Sequence, residues 1–180
     1  MSKIGRKPIN LGAVQVNVSG NEISFSGKKD SGVFHLAPNF QAEIVDKKLF
    51  IKPIDRAHYD NATWGLQRAL LANKFKGADT GFEKQLRVVG LGFKAVVSGN
   101  KVQLSLGKSH KIDYVLPQGV TLEVDKTGQL LTLRSTNKEL MGLVGAQLKH
   151  FRPHEPYKGT GIHVVGEILI RKAGKTAKTA

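Results

Sequence analysis

The spacing of apolar residues changes from a period of two to a period near four, and it does so twice along the chain. In the first half, apolar residues alternate with polar ones over 14–18, whereas Ala62, Leu66 and Leu70 follow at helical spacing. In the second half the alternation returns, and a helical spacing follows it over 140–151. The sequence therefore predicts strands followed by one helix, twice.

The predicted strands fall into two groups that are separated by the first helix. Two hairpin turns are predicted at Gly20-Asn21 and Gly99-Asn100, since Gly and Asn both tolerate the conformations that tight turns need. The predicted helices are 60–75 and 140–151, and the predicted strands are 14–18, 23–25, 40–45, 49–54, 86–89, 94–97, 102–106, 120–124 and 130–133.

Local matches between the halves indicate an internal duplication. Residues 49–52 resemble 131–134, and 76–82 resemble 158–162, so the repeat is about 80 residues long. The predicted fold class is α+β, with two similar domains that each pack one helix on a largely antiparallel sheet. We expect a first domain at 1–81, a second at 82–170 and a basic tail at 171–180.

The charge of the chain indicates a polyanionic partner. There are 28 Lys and Arg against 14 Asp and Glu, a formal net charge of +14, while 40% of residues are hydrophobic, so a folded body carries the charge. Residues 1–82 have 12 basic and 7 acidic side chains, and 83–180 have 16 and 7. Nucleic acid is the commonest partner of such a chain, with a role in solubility and an acidic membrane surface as the alternatives.

Two further classes are excluded by composition. No apolar stretch is long enough to span a bilayer, and no signal peptide is predicted, so we expect a cytoplasmic protein without membrane contact. The chain has no cysteine, which rules out disulfides and thiolate metal sites.

The segment 152–162 is the strongest candidate for an RNA contact. Its prolines stiffen the chain after the second helix, and Gly159 and Gly161 would let a phosphate–sugar backbone approach closely. Lys158 would supply a charge to a phosphate, and Tyr157 a ring that could pack or stack. The alternative is an ordinary helix-to-strand loop.

Basic residues also mark both ends of the chain. The tail contains Arg171, Lys172, Lys175 and Lys178 without an apolar period, and such tails usually extend over phosphates or stay solvated. At the amino end, the cluster 3–7 is either a second phosphate-binding arm or a charged terminus.

One motif favours an enzyme. Gly90, Gly92 and Ala95 satisfy the dinucleotide-binding pattern, and Asp113 lies about 20 residues on. That mechanism needs a helix to begin at the motif, whereas 96–100 reads as a strand and a turn. A nucleotide-dependent enzyme would show a helix after Ala95, and we do not expect one.

The histidines do not form a convincing metal site. His150 and His154 are four residues apart and His163 follows, but Pro153 breaks the helix between the first two. No nucleophile motif or paired acids stand out, so we expect no catalysis, no cofactor, no metal and no small-molecule substrate.

Several motifs together resemble one protein family. Residues 2–9, 89–95, 106–110 and 155–162 each resemble a signature of the bacterial large-subunit ribosomal protein L six family, in the same order. The resemblance covers nearly the whole chain. Two positions depart from it, since the family usually has proline where His154 stands and lysine where Thr160 stands.

The resemblance implies a ribosome-bound structural protein with two similar α+β domains. Its partners would be large-subunit ribosomal RNA, bound mainly through the second domain, and neighbouring ribosomal proteins. It would lie near the stalk base and the sarcin–ricin loop, close to where translation factors dock. A regulator that binds a messenger RNA hairpin is the remaining alternative. The candidate contact residues are Arg152, His154, Tyr157, Lys158, Gly159, Thr160, Gly161, Arg171, Lys172, Lys175, Lys178, Lys108, Ser109, His110 and Lys111.

Overall fold

The computed structural model describes residues 2–55 and 59–175, and the chain forms two compact units. The first comprises residues 1–82 with 136–138, and the second comprises residues 83–135 with 139–180. Of the candidate contact residues, Lys178 lies outside the described residues.

The first unit has two three-stranded sheets and one helix. The strands β2, β3 and β4 form one sheet in that order, and β1, β6 and β5 form the other, with every pair antiparallel. A buried core that includes Ile23, Phe40, Leu49, Leu71 and Phe75 lies among these elements. The elements are β1 (Ile9–Asn10), β2 (Gln15–Ser19), β3 (Glu22–Ser26), β4 (Ser31–His35), β5 (Phe40–Val45), β6 (Lys48–Pro53) and α1 (Asn61–Asp79).

The second unit repeats this arrangement and adds one strand. One sheet has the order β8, β9, β10, and the other has the order β11, β12, β7, β13. The added strand β13 pairs antiparallel with β7, so it lies at the sheet edge. The elements are β7 (Phe82–Val89), β8 (Lys94–Ser98), β9 (Lys101–Ser105), β10 (Ile112–Val115), β11 (Val120–Val124), β12 (Leu130–Ser135), α2 (Lys138–Phe151) and β13 (Gly161–Val164).

The duplication extends to individual hydrogen bonds in the loops. The Leu36 N–H donates to the Asn21 carbonyl at 2.8 Å, and the Leu116 N–H donates to the Asn100 carbonyl at 2.9 Å. Both leucines are buried. The two units therefore share a fold down to the loop that follows their fourth strand, which confirms the predicted α+β duplication.

The helix α1 begins where the sequence predicts but ends later. Asp60 caps it by accepting hydrogen bonds from the N–H groups of Ala62 and Thr63, which matches the predicted start. It continues through Gly77 to Asp79, four residues beyond the predicted end at 75. Only glycine fits at position 77, because an added Cβ would lie 2.1 Å from the Thr136 carbonyl oxygen.

The face of α1 that carries Ala62, Leu66 and Leu70 is not its buried face. Ala62 and Leu66 are exposed, and the helix instead buries Trp64, Leu71 and Phe75. The Trp64 indole N–H donates to the Ile51 carbonyl at 2.8 Å, which fixes that face toward β6. A single Trp contributes more apolar area than the Ala and Leu that suggested the other face.

The strand predictions are confirmed, with four omissions. All nine predicted strands are present, and both predicted hairpin turns join the strands expected. The strands that the sequence did not reveal are β1, β4, β10 and β13, which are short and contain few alternating apolar residues. No helix within the described ranges is long and apolar enough to cross a membrane.

Candidate nucleic-acid interface

The segment after α2 forms a closed loop. The Ile162 N–H donates to the Arg152 carbonyl at 2.8 Å, so β13 begins next to the end of the helix. Inside the loop, the Glu155 N–H donates to the Thr160 carbonyl at 2.8 Å, and the Gly159 N–H donates to the Glu155 carbonyl at 2.9 Å. These bonds hold the loop 152–161 in one shape without help from a partner.

Both glycines of this loop are buried and allow close packing. An added Cβ at Gly161 would lie 2.5 Å from the Pro153 carbonyl oxygen. Gly159 has a φ of +73°, and a Cβ there would lie 3.0 Å from the Arg171 guanidinium. Because the Gly159 N–H is already bonded to Glu155, this glycine shapes the loop and does not present a free N–H group at its surface.

The outer side of the loop presents cationic and aromatic groups. Arg152, Tyr157 and Lys158 are exposed, and within the described ranges Lys158 takes part in no ion pair. Thr160 and His154 are half-buried, and the Thr160 hydroxyl donates to the Glu155 carboxylate at 3.3 Å. Of the predicted loop contacts, the structure therefore exposes Lys158, Tyr157 and Arg152 most.

The basic tail starts against this loop. The Lys172 N–H donates to the Pro156 carbonyl at 2.9 Å, and the Arg171 guanidinium lies over Gly159. The side chains of Arg171, Lys172 and Lys175 are all exposed. The structure thus brings the start of the tail and the loop 152–161 onto one surface.

A second loop joins the same surface through an aromatic ring. Residues 107–111 follow β9, and Lys108, Ser109, His110 and Lys111 are exposed. The Arg152 guanidinium lies 5.7 Å from the centre of the Phe93 ring. That ring also packs on Gly107, where an added Cβ would lie 2.8 Å away. Phe93 was not among the predicted site residues, although it lies within the motif 89–95 that resembles a family signature.

Other cations of the second unit are neutralised by acids. Arg134 is bonded to Glu83 at 3.1 Å and to Glu123 at 2.9 Å. The hydrogen bond from Arg134 keeps the pKa of Glu83 below its usual value. Lys149 pairs with Glu167, and its hydrogen bond lowers the Glu167 pKa. Within the described ranges, no acid pairs with the exposed Lys and Arg side chains of the three segments 107–111, 152–161 and 171–175, and the same holds for the exposed Arg87, Lys94, Lys101 and Lys126 elsewhere in the unit.

The histidines differ in their surroundings. The Nδ1 atoms of His154 and His163 are buried and have no protein partner within the described ranges. Burial lowers the pKa of His163. The nearby Arg87, His154 and Lys149 lower it further, whereas Glu167 raises it. His163 is therefore neutral at neutral pH and adds no charge to the surface. Among residues 2–55 and 59–175, no group of three His, Asp or Glu side chains could hold a metal ion.

The apparent dinucleotide motif is a strand connection. Gly90 to Phe93 join β7 to β8, and β8 runs from Lys94 to Ser98 where a nucleotide site needs a helix. With no helix N-terminus there is no dipole to bind a pyrophosphate. The predicted strand after the motif is confirmed.

Comparisons with known proteins agree with this geometry. Residues 89–164 match the protein family described as Ribosomal protein L6. Proteins named Large ribosomal subunit protein uL6 are similar along nearly their whole length. The relative from Helicobacter hepaticus is 39% identical over 179 residues, which is 99% of each chain. The one from Desulfatibacillum aliphaticivorans is 41% identical over 177 residues, 98% of this chain and 99% of its own. The one from Campylobacter jejuni strain RM1221 is 39% identical over 179 residues, again 99% of each.

Proposed function

Because this chain belongs to the ribosomal protein L6 family, we propose that it binds large-subunit ribosomal RNA through one surface of its second unit. It is a structural component of the large ribosomal subunit, ribosome-bound, and not an enzyme. Its work is to hold RNA in position, with no bond made or broken.

The observation that carries this proposal is the clustering of uncompensated cations. The loops 107–111 and 152–161 and the tail 171–175 place Lys108, Lys111, Arg152, Lys158 and Arg171 at the surface of one unit. Hydrogen bonds within the loop 152–161 close it, and the Lys172 N–H bonds the tail to that loop. The loop 107–111 is linked to Arg152 through the Phe93 ring. A preformed array of cations suits a folded polyanion, because the loops that carry the cations lose little conformational entropy on binding.

The location within the subunit is a finer proposal. The likeness of 155–162 to the family signature supports a position near the stalk base and the sarcin–ricin loop, next to neighbouring ribosomal proteins and close to docked translation factors. We also propose the division into a first domain at 1–81, a second domain at 82–170 that binds RNA, and a basic tail at 171–180. The tail would add phosphate contacts through Lys175 and Lys178.

A salt series with two variants tests the surface. Binding of the full chain to large-subunit ribosomal RNA is measured at increasing salt, beside Lys158→Ala and a chain ended after Ala173. Ending there removes Lys175 and Lys178 but keeps the Lys172 hydrogen bond to Pro156. Each lost phosphate contact should make the slope of log affinity against log salt shallower by about 0.7 to 1. The expected loss for Lys158→Ala is about fivefold at moderate salt.

Lys101→Ala is the matched control. Lys101 is exposed in the same unit but lies at the far end of β9 from the loop 107–111. It should bind with the affinity and the slope of the unaltered chain. If Lys158→Ala and the shortened chain also behave like the unaltered chain at every salt concentration, this surface is not the RNA site and the amino-terminal cluster 3–7 becomes the candidate.

A further inference from the structure

The turn that joins β7 to β8 presents an exposed leucine. Leu91 has a relative exposure of 102%, so its side chain contacts almost nothing in the protein. The Phe93 N–H donates to the Gly90 carbonyl at 3.2 Å and closes the turn beneath it. None of the phosphate contacts proposed above explains why an apolar side chain is exposed at the tip of this turn.

The turn is held rigidly by the Phe93 ring. An added Cβ at Gly90 would lie 2.4 Å from that ring, so only glycine leaves room for it. Gly92 has a φ of +73°, a conformation that favours glycine and that directs the chain back into β8. Leu91 therefore lies at the exposed tip of a turn that is packed on the Phe93 ring.

The first unit provides an internal comparison. Its corresponding turn, 79 residues earlier, is closed by the Val14 N–H donating to the Leu11 carbonyl at 3.0 Å. The position that corresponds to Leu91 is occupied by Gly12. The two turns have the same length but differ in conformation, because the positive φ lies at Gly12 in the first unit and at Gly92 in the second. An apolar tip is therefore a feature of the second unit alone.

The surroundings of the tip are cationic. The ring that supports it also contacts Arg152 and Gly107, and Gly107 is followed by the exposed Lys108. A protein partner would have to desolvate these charges around a single leucine. RNA instead offers phosphates for the cations and, in loops and bulges, the apolar face of an unstacked base for the leucine.

We propose that Leu91 packs against the face of an unpaired base in ribosomal RNA, while the neighbouring cations hold the flanking phosphates. This inference rests on the proposed function. It adds a contact that depends on the folded shape of the RNA and not on its charge. Phosphate contacts weaken with salt and are indifferent to sequence, whereas an apolar contact to a splayed base persists in salt and needs the folded RNA.

The test compares Leu91→Ala with Leu143→Ala in the full chain. Leu143 is also exposed, at 55%, but lies on the outer side of α2. Leu91→Ala should bind large-subunit ribosomal RNA about five- to tenfold more weakly, with an unchanged salt slope. Its affinity for random-sequence RNA of equal length should not change. Leu143→Ala should match the unaltered chain in all three measurements, and both variants should unfold at the same urea concentration as that chain.

The outcomes separate this inference from the proposed function. If Leu91→Ala binds ribosomal RNA normally while Lys158→Ala binds it weakly, the base contact is wrong and the phosphate surface stands. A shallower salt slope for Leu91→Ala would also overturn the inference, because the turn would then act through phosphates. Normal RNA binding together with loss of Leu91→Ala from assembled subunits would assign the tip to a protein partner. An unaltered chain that does not distinguish ribosomal from random RNA would remove both proposals.

Discussion

Gly161 is the residue at which the loop 152–161 leaves least space. Its φ is +135°, and an added Cβ would lie 2.5 Å from the Pro153 carbonyl oxygen and 2.8 Å from the His154 Cα. Backbone atoms cannot turn aside as a flexible side chain can. The position therefore couples the start of β13 to the end of α2.

Replacing Gly161 with alanine should destabilise the protein by about 2 kcal/mol or more, because the new methyl group meets backbone in a conformation that alanine avoids. Urea unfolding measures the change. Gly142→Ala is the control, since Gly142 lies inside α2 with no atom within 4 Å of an added Cβ. It should be neutral or stabilising by up to about 1 kcal/mol. Equal stability of Gly161→Ala and the unaltered chain would show that the loop is not packed as described.

At the scale of the element, α1 depends on its cap. The Thr63 hydroxyl and the N–H groups of Ala62 and Thr63 donate to the Asp60 carboxylate, and they lower its pKa below the ordinary value of 3.8. A carboxyl group whose pKa is lower in the folded state stabilises the protein above its unfolded pKa. That contribution is lost as the pH falls through the folded pKa.

Asp60→Asn tests the pH dependence of this cap. Asparagine retains an oxygen that accepts hydrogen bonds but cannot ionise, so it removes the titration and keeps the cap. The variant should unfold at a lower temperature than the unaltered chain at pH 6, and the difference should shrink as the pH falls below 4. Thermal unfolding followed by circular dichroism measures it. A difference that stays constant from pH 6 to pH 2.5 would mean that Asp60 does not act through its charge.

Elements with a strong period could be predicted from the sequence, and those defined by their neighbours could not. The strand at 14–18 and the helix ending at Phe151 each carry their own pattern. The strand β4, Ser31–His35, contains glycine and pairs with β3 because the fold brings it there. The buried face of α1 does not follow the spacing of Ala62, Leu66 and Leu70, because the helix packs through Trp64, Leu71 and Phe75.

At the scale of the whole molecule, the two units use corresponding loops differently. In the first unit, the loop after β3 contains Gly27-Lys28-Lys29, and in the second unit the loop after β9 contains Gly107-Lys108. The Lys29 N–H donates to the Ala78 carbonyl at 2.8 Å, and its ammonium group donates to the Thr80 carbonyl. One loop thus secures the end of α1, while the other presents its cations.

This divergence explains how much of the interface the sequence could reveal. The net charges of +5 for residues 1–82 and +9 for residues 83–180 indicated the second unit, and Lys158 is exposed there as predicted. The packing of the Arg171 guanidinium on Gly159, and the Phe93 ring that joins Arg152 to Gly107, depend on contacts between segments that are distant in the sequence. Such contacts leave no periodic signal in the sequence.

The most direct test of the account is the affinity of the unaltered chain for large-subunit and small-subunit ribosomal RNA over one salt series. We predict that both affinities fall as salt rises, because both complexes include contacts to phosphates. Large-subunit RNA should be bound more tightly at every salt concentration. The ratio of the two affinities should persist at high salt, where contacts to shape and bases remain. Equal affinities at every salt concentration would contradict the account, since the surface would then recognise charge alone.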